Sequence, residues 1–206
     1  LNQKDNISHP FFWDNLYKHK KDSWSLNSTT PIFVDWEKQY INNKKNKICF
    51  PGCGNGYDAL HFAKQGHNVY AIDFSDYAIN TLKKNAILEN VKINILNIDF
   101  FKIKPSYYNF FDIIVEYTFY CAINPVMRKE YISLCHKLLK KNGKFLGIIL
   151  PFKLKDPSKK GPPFIVSHNE IENNFLSKFN LIQKGYSAQS VDARKGNEIF
   201  IELLKV

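Results

Sequence analysis

Residues 48–58 read Ile48-Cys49-Phe50-Pro51-Gly52-Cys53-Gly54-Asn55-Gly56-Tyr57-Asp58. Beyond them comes a second run, Asn68-Val69-Tyr70-Ala71-Ile72-Asp73-Phe74-Ser75, whose acid stands 17 residues after Gly56. A hydrophobic strand runs into three glycines at alternate positions, and the next hydrophobic strand ends in one acid. Glycines at such a turn let the backbone bend tightly and let a ligand approach without meeting a Cβ. An acid at the tip of the second strand can accept both hydroxyls of a ribose. The pair implies a nucleoside-bearing cofactor.

The spacing narrows the choice. A dinucleotide fold uses G-x-G-x-x-G, its last glycine packing the helix on the sheet. Here the pattern is G-x-G-x-G, followed by Tyr57 and Asp58. S-adenosyl-L-methionine fits better, because it has no phosphate to cradle and its amino-acid tail can lie along the loop. The bland alternative is a glycine-rich turn with no ligand; Asp73 at this distance argues against it.

Outward from this pair, strands and helices alternate. Lys47–Phe50 reads as the first strand. Gly56–Gln65 reads as a helix with Ala59, Leu60, Phe62 and Ala63 at helical spacing and Gly66 at its C-cap. Ser75 and Asp76 cap a helix through Leu88 with Ala78, Ile79, Leu82 and Ala86 on one face. Val91–Leu96 and Phe111–Glu116 read as strands three and four. Met127–Leu139 reads as a helix, Lys141-Asn142-Gly143 as a turn, and Lys144–Leu150 as strand five. A helix near Asn169–Phe179 and an antiparallel pair, Leu181–Ser190 with Asn197–Lys205, close the chain. This alternation predicts an α/β fold with a mostly parallel seven-stranded sheet and helices on both faces; together with the glycine loop and Asp73 it resembles the Rossmann-like class I methyltransferase fold. In such sheets ligands bind beyond the carboxyl ends of the strands. Gly52, Asp73, Asp99 and Glu116 all fall at those ends.

The 206 residues are expected to form a single domain: residues 1–46 as a cofactor and substrate cover carrying Trp13, Tyr17 and Trp24, and residues 47–206 as the core. The loop Pro151–Ser167, with Gly161-Pro162-Pro163-Phe164, is a second candidate lid. No apolar run approaches membrane-spanning length, and Leu1 to Asn6 carry no signal-peptide core, so a cytoplasmic protein is expected. Four cysteines (Cys49, Cys53, Cys121, Cys135) form no C-x-x-C pair and read as reduced thiols, with no metal expected. Cys121 is read as a small buried residue rather than a covalent nucleophile.

The net charge is +10, which invites a nucleic-acid partner. Only Arg128 and Arg194 are arginine, however, and arginine is the better reader of phosphates and bases. The lysines are also spread from Lys4 to Lys205, with short clusters such as Lys44-Lys45 and Lys159-Lys160. A solvated basic surface is the preferred reading, and no nucleic-acid partner is expected.

Phe50-Pro51-Gly52-Cys53-Gly54-Asn55-Gly56-Tyr57-Asp58, Gly66–Ser75 and the run from Phe111 through Tyr117-Thr118-Phe119-Tyr120-Cys121-Ala122 to Pro125 resemble the thiopurine S-methyltransferase superfamily, closest to its thiol and halide methyltransferase branch. Phe12-Trp13-Asp14, Ser23-Trp24, Thr30-Pro31, Arg128, Gly161-Pro162-Pro163-Phe164 and Arg194-Lys195-Gly196-Asn197-Glu198 continue the match in order. The resemblance implies that Trp13, Tyr17 and Trp24 wall the methionine end of the cofactor. It implies that the Gly52, Cys53, Gly54 loop meets the amino-acid tail. Asp73 with Phe74 would then hold the ribose, and Asp99 with Phe100 the adenine. Glu116 and Tyr117 would flank the cofactor at the end of strand four. Tyr117 and Phe119 are the implied catalytic positions, bordering the transferred methyl. Tyr17 stands where relatives often carry tryptophan, and Leu150 where some plant relatives carry a tyrosine near the substrate.

The expected activity is methyl transfer from S-adenosyl-L-methionine to a small soft nucleophile: a thiol, hydrosulfide or halide. The partner would be that small-molecule acceptor, and the protein a monomer or weak dimer. A small-molecule N- or O-methyltransferase is the alternative enzyme; Glu116-Tyr117-Thr118-Phe119 does not match the Asp/Asn-Pro-Pro-aromatic loop of adenine-N6 methylation. A nucleic-acid-binding protein on the same fold is the alternative from another class.

Overall fold

Parallel pairing of three short strands builds the first half of the molecule. The computed structural model describes residues 6–40, 44–154, 156, 158 and 161–206. Within them the chain forms two compact units, Leu1–Ile103 and Lys104–Val206. Leu1–Asp5, most of the stretch Leu1 to Asn6 read above as polar, and the Lys159-Lys160 pair lie outside the described residues.

In the first unit β1 (Lys47–Pro51), β2 (Asn68–Asp73) and β3 (Asn94–Asn97) run parallel in the order β3-β2-β1. Ile48, Cys49, Val69, Ala71 and Ile72 are wholly buried, the continuous apolar run of strands covered on both faces. Four helices accompany them: α1 (Pro10–Lys18), α2 (Pro31–Tyr40), α3 (Tyr57–Lys64) and α4 (Asp76–Leu88). The N-cap of α4 is Ser75, whose Oγ accepts from the Ala78 amide at 3.1 Å. Ala78, Ile79, Leu82 and Ala86 are its buried face, as their spacing predicts. Gly66, at φ 85°, ends α3 by donating to the Ala63 carbonyl.

The second unit carries β4 (Phe111–Tyr117), β5 (Leu139–Ile149), β6 (Asn180–Gly185) and β7 (Ile199–Leu204), in the order β4-β5-β7-β6. β5 runs parallel to β4 and antiparallel to β7, and β7 antiparallel to β6. Helices α5 (Arg128–Leu138) and α6 (His168–Asn174) contribute Tyr131, Ile132, Leu138 and Ile171 to a core that also holds Phe145, Phe175 and Phe179. Burying side chains of this size contributes about 1.5–3 kcal/mol each.

Several boundaries differ from the sequence reading; β6, for one, ends at Gly185 rather than Ser190. Strand three begins at Asn94 rather than Val91, because Val91 N donates to Ala86 O at 2.8 Å and Asn90 sits at φ 52°. Val91 therefore closes α4 instead of opening a strand. The turn expected at Lys141-Asn142-Gly143 lies inside β5 as an irregularity: Phe111 pairs with Leu139, then Ile113 with Lys144, with Asn142 at φ 62° between. Helix α6 stops at Asn174, short of Phe179.

Candidate functional site

The glycine loop leaves β1 and turns back on β2. Gly52, Gly54 and Gly56 all lie at positive φ (55°, 54° and 77°), where side-chain-bearing residues are strained. The Cys53 amide donates to Ile72 O at 3.0 Å, and the Gly54 amide to Asp73 Oδ2 at 2.8 Å. Asp73 Oδ1 takes the Ser75 amide at 2.9 Å. Asp73 is 9% exposed, and burial raises its pKa against the lowering effect of those amides. Each carboxylate oxygen has two lone pairs, so acceptor capacity remains after these two bonds.

Two of the glycines have protein neighbours where a side chain would stand. A Cβ on Gly54 would lie 2.7 Å from the Tyr17 hydroxyl oxygen, and one on Gly56 would run into the Leu82 side chain. These two positions lack a Cβ where Tyr17 and α4 come close.

Tyr17 comes to the loop as part of an aromatic row. Trp13 meets Trp24 edge-to-face at 5.5 Å, Trp24 meets Tyr17 at 5.4 Å, and Tyr17 stacks parallel to Tyr77 at 6.3 Å. The Trp13 indole N–H donates to Ile7 O at 2.7 Å. Burial and then the Asp73 charge push the Tyr17 phenol up, so it stays protonated. The three aromatics expected to wall one cofactor end are therefore brought together, beside the loop and Asp73.

Asp14, a residue given no role from sequence, fixes this arrangement. Its Oδ1 accepts from Ser75 Oγ at 2.6 Å and from the Tyr77 amide at 3.0 Å. Helix α1 is thus fastened to the N-terminus of α4, where a carboxylate is favoured. Asp58 does the same for α2, accepting from Thr30 N at 2.7 Å and Thr30 Oγ1 at 2.9 Å.

Asp99 caps the short 3-10 turn Phe100–Lys102 by accepting from Phe101 N at 3.0 Å. Phe100 is buried and meets Phe101 edge-on at 6.1 Å. Phe74 is half-buried beside Asp73, and Cys53 is half-buried in the loop with its thiol pushed up by burial.

In the second unit Glu116 is turned inward. Its Oε1 accepts the amides of Phe119 at 2.9 Å and Tyr120 at 2.8 Å, and its Oε2 accepts the Tyr131 hydroxyl. It is 1% exposed, and burial raises its pKa to about 7. Its carboxylate joins the loop after β4 to Tyr131 of α5, a role in shaping that loop. Thr118 in the same loop sits at φ 66°, strained for a β-branched residue. The Phe119 ring meets Tyr131 edge-to-face at 5.6 Å. The Cys121 thiol is buried and pushed up to about 12, which removes it as a nucleophile.

Tyr117 has company that sequence reasoning missed. Its hydroxyl donates to Glu198 Oε2 at 3.2 Å, and the Arg194 guanidinium carbon lies 4.8 Å from its ring centroid. Ser190 Oγ donates to the other Glu198 oxygen. Register explains the meeting: Tyr117 pairs with Ile148 and Ile148 with Phe200, so the end of β4 and the start of β7 share one row. The available signal was rarity, since Arg128 and Arg194 are the only arginines and a flat, forked donor is not replaceable by lysine.

The loop Pro151–Ser167 is tied near both of its ends. Asn197 Oδ1 accepts the amides of Phe152 and Lys153, and Val166 N donates to Pro151 O. Lys155, Pro157, Lys159 and Lys160 of this loop lie outside the described residues. Among the described residues no three His, Cys, Asp or Glu side chains gather as a metal site would require, and no helix is long and apolar enough to cross a membrane. Cys49, Cys53, Cys121 and Cys135 are thiols, not disulfide partners.

The family model of thiopurine S-methyltransferase matches residues 8–204. The chain belongs to the thiopurine S-methyltransferase family. A probable thiol methyltransferase 2 of Arabidopsis thaliana is 32% identical over 190 residues, covering 90% of this chain and 81% of that one. Thiocyanate methyltransferase 1 of Brassica oleracea is 24% identical over 192 residues, with 90% and 81% covered. Among solved structures, the Burkholderia thailandensis 1,6-didemethyltoxoflavin-N1-methyltransferase, which has S-adenosylhomocysteine bound, superposes with a TM-score of 0.76 at 14% identity, covering 96% of this chain and 87% of that one. The fold of this family member is accordingly Rossmann-like, a seven-stranded and mostly parallel sheet with helices, as expected. It is an S-adenosylmethionine-dependent methyltransferase. The residues present fit that cofactor: an acid with spare acceptor capacity, a tightly turned glycine loop, and an aromatic row suited to a cationic sulfonium.

Proposed function

We propose that the protein methylates a small sulfur nucleophile, a thiol or hydrosulfide, with halide as a slower acceptor of the same kind. The carrying observation is Arg194 lying over Tyr117, the residue that borders the transferred methyl in our reading. A guanidinium there favours an acceptor that arrives as an anion. Neither nearby acid serves as a base, because Glu116 and Glu198 are held by their own hydrogen-bond donors. A free thiol has a pKa of about 8.5 and needs only modest help to ionise.

The bound cofactor supplies an activated methyl on its sulfonium sulfur. Asp73 holds the ribose, the Gly52–Gly54 backbone holds the amino-acid tail, and Trp13, Tyr17 and Trp24 shield the methionine end from water. Asp99 and Phe100 border the adenine, Asp99 through whichever lone pairs its cap leaves. Cys53 and Phe74 contribute through backbone and contact. Tyr117 and Phe119 line the approach of the acceptor, and Arg194 draws in and orients its negative charge. Residues 1–46 act as cover and residues 47–206 as core of one methyltransferase domain, working as a monomer or weak dimer in a reducing cytoplasm.

The test is incubation with methyl-labelled S-adenosylmethionine and a panel of hydrosulfide, alkyl thiols, thiophenol, iodide, catechol and amines. Label should pass to the sulfur acceptors first. Faster methylation of catechol or an amine than of every thiol would overturn the reading.

A further inference from the structure

The second arginine has no place in that scheme, yet it is one of the most heavily engaged side chains in the molecule. Arg128, at the start of α5, is 3% exposed. Its Nη1 donates to both oxygens of Glu170, each at 2.9 Å, and to Ile165 O at 3.0 Å, while Nη2 donates to Phe164 O at 3.1 Å. Two consecutive carbonyls at the end of the Gly161-Pro162-Pro163-Phe164 turn are therefore held by one guanidinium. The turn is gripped from the other side as well, since Phe164 N donates to Cys121 O at 2.7 Å. A Cβ on Gly161 would lie 2.7 Å from the Phe164 ring, so the ring is folded closely over its own turn.

The same guanidinium sits 4.9 Å from the Tyr120 ring centroid, and the Tyr120 hydroxyl donates to Glu170 Oε1 at 2.8 Å. Tyr120 N in turn donates to Glu116. A continuous path, Glu116–Tyr120–Glu170–Arg128–Phe164, thus joins the Tyr117–Cys121 loop to the proline-rich turn. A guanidinium suits this task because its donors form a rigid fork; a lysine ammonium at the same place is a point charge that cannot hold two carbonyls and a carboxylate in one plane.

We infer that Arg128 is a specificity-determining positioning residue: by fixing the Phe164 carbonyl and the turn that Phe164 N ties to the loop carrying Tyr117 and Phe119, it makes Phe164 a third wall of the acceptor pocket and sets that pocket's size. This rests on the proposed acceptor reading. Arg128 touches neither cofactor nor acceptor, and it acts through the backbone of Phe164 and Ile165. Relaxing its grip frees Phe164, so acceptors that fill the pocket are affected and acceptors too small to reach Phe164 are not.

The test compares thiophenol with hydrosulfide on the same preparations of wild type, Arg128→Lys and Glu170→Gln. The readout is the ratio of their kcat/KM values, which a loss of folded protein leaves unchanged because it scales both. For Arg128→Lys we expect the ratio to move about tenfold, the scale on which pocket contacts discriminate. The thiophenol KM should change more than kcat, and the S-adenosylmethionine Kd by calorimetry should stay within about twofold. Glu170→Gln, which leaves the guanidinium its two carbonyls, should move the ratio in the same direction by less and carries the test if Arg128→Lys does not fold. An unchanged ratio in the variant that folds overturns the inference. A wild type that methylates no thiol at all refutes the acceptor reading instead.

Discussion

The Gly54 amide donates to Asp73 Oδ2 at 2.8 Å, so the acid at the tip of β2 holds the glycine loop in shape before any ligand arrives. The other oxygen holds the Ser75 amide at the start of α4. One carboxylate therefore does two things: it joins the loop to a helix cap, and its remaining lone pairs face the ribose hydroxyls in our reading.

This dual role shapes the outcome of mutating it. Asp73→Ala should weaken S-adenosylmethionine binding by about 2–3 kcal/mol, the scale of charge-assisted hydrogen bonds. It should also lower stability, because two buried amides lose their acceptor at about 1–3 kcal/mol each. Asp73→Asn keeps an oxygen for one amide and should separate the effects, with most of the affinity lost and less of the stability. Calorimetry with S-adenosylhomocysteine and thermal melts of both variants check this. Wild-type affinity in Asp73→Ala would remove the ribose assignment.

Asp14 offers a test of the N-terminal cover. Its carboxylate receives Ser75 Oγ and the Tyr77 amide, and its helix carries Trp13 and Tyr17. Asp14→Ala should cost about 1 kcal/mol of stability, as loss of a helix cap does. Cofactor affinity should fall by more than that stability change, because the aromatic row loses its anchor. Equal affinity for S-adenosylhomocysteine in the variant and wild type would show that α1 does not cover the cofactor.

Glu116 should make the protein less stable as pH rises through neutrality. Its folded pKa of about 7 lies above the ordinary 4.5, because burial opposes ionisation more than its three donors favour it. The folded state therefore binds the proton more tightly than the unfolded chain. The stability contributed is fully present below pH 4.5 and is lost as pH passes through about 7. Its full size is on the order of 3 kcal/mol. Glu116→Gln, which cannot ionise, should flatten this part of the profile. Urea melts at intervals between pH 4.5 and 8 measure it, and parallel profiles for the two proteins would reject the assignment.

The parts of this molecule that sequence made legible are the local ones. The helix over Asp76–Leu88 follows from Ser75 as cap and four apolar residues at helical spacing. The loop and its acid follow from the glycine spacing and Asp73. Helix α2 went unassigned although Thr30-Pro31 and the apolar residues after it are a start signal; the segment was read only as cover. What stayed hidden depends on register. Arg194 and Glu198 reach Tyr117 because antiparallel β7 starts on the row where β4 ends, and no local pattern states that. Arg128 and Glu170 meet across 42 residues for the same kind of reason. Only the fold reveals, too, that Tyr17 stands where a Cβ on Gly54 would lie.

The acceptor chemistry can be read from pH and salt. With Glu116 and Glu198 each held by their own donors, the rate should follow the fraction of acceptor already ionised. For an alkyl thiol of pKa about 8.5, kcat/KM should climb about tenfold per pH unit below that value and level off above it. For an acidic aryl thiol the profile should be nearly flat above about pH 6. Arg194 beside Tyr117 should pull the alkyl-thiol curve toward lower pH by favouring the bound thiolate. Replacing it with methionine keeps much of the stacking volume and removes the charge. Arg194→Met should therefore lower kcat/KM for thiolates by about ten- to a hundredfold, the worth of one charge-assisted contact, and weaken the salt dependence that a cationic site gives an anionic substrate. The S-adenosylmethionine Kd should change little. A pH-independent rate with an alkyl thiol would instead require a base that takes the proton on the enzyme. In that case Glu198, which already accepts the Tyr117 hydroxyl at 3.2 Å, is the group to replace next.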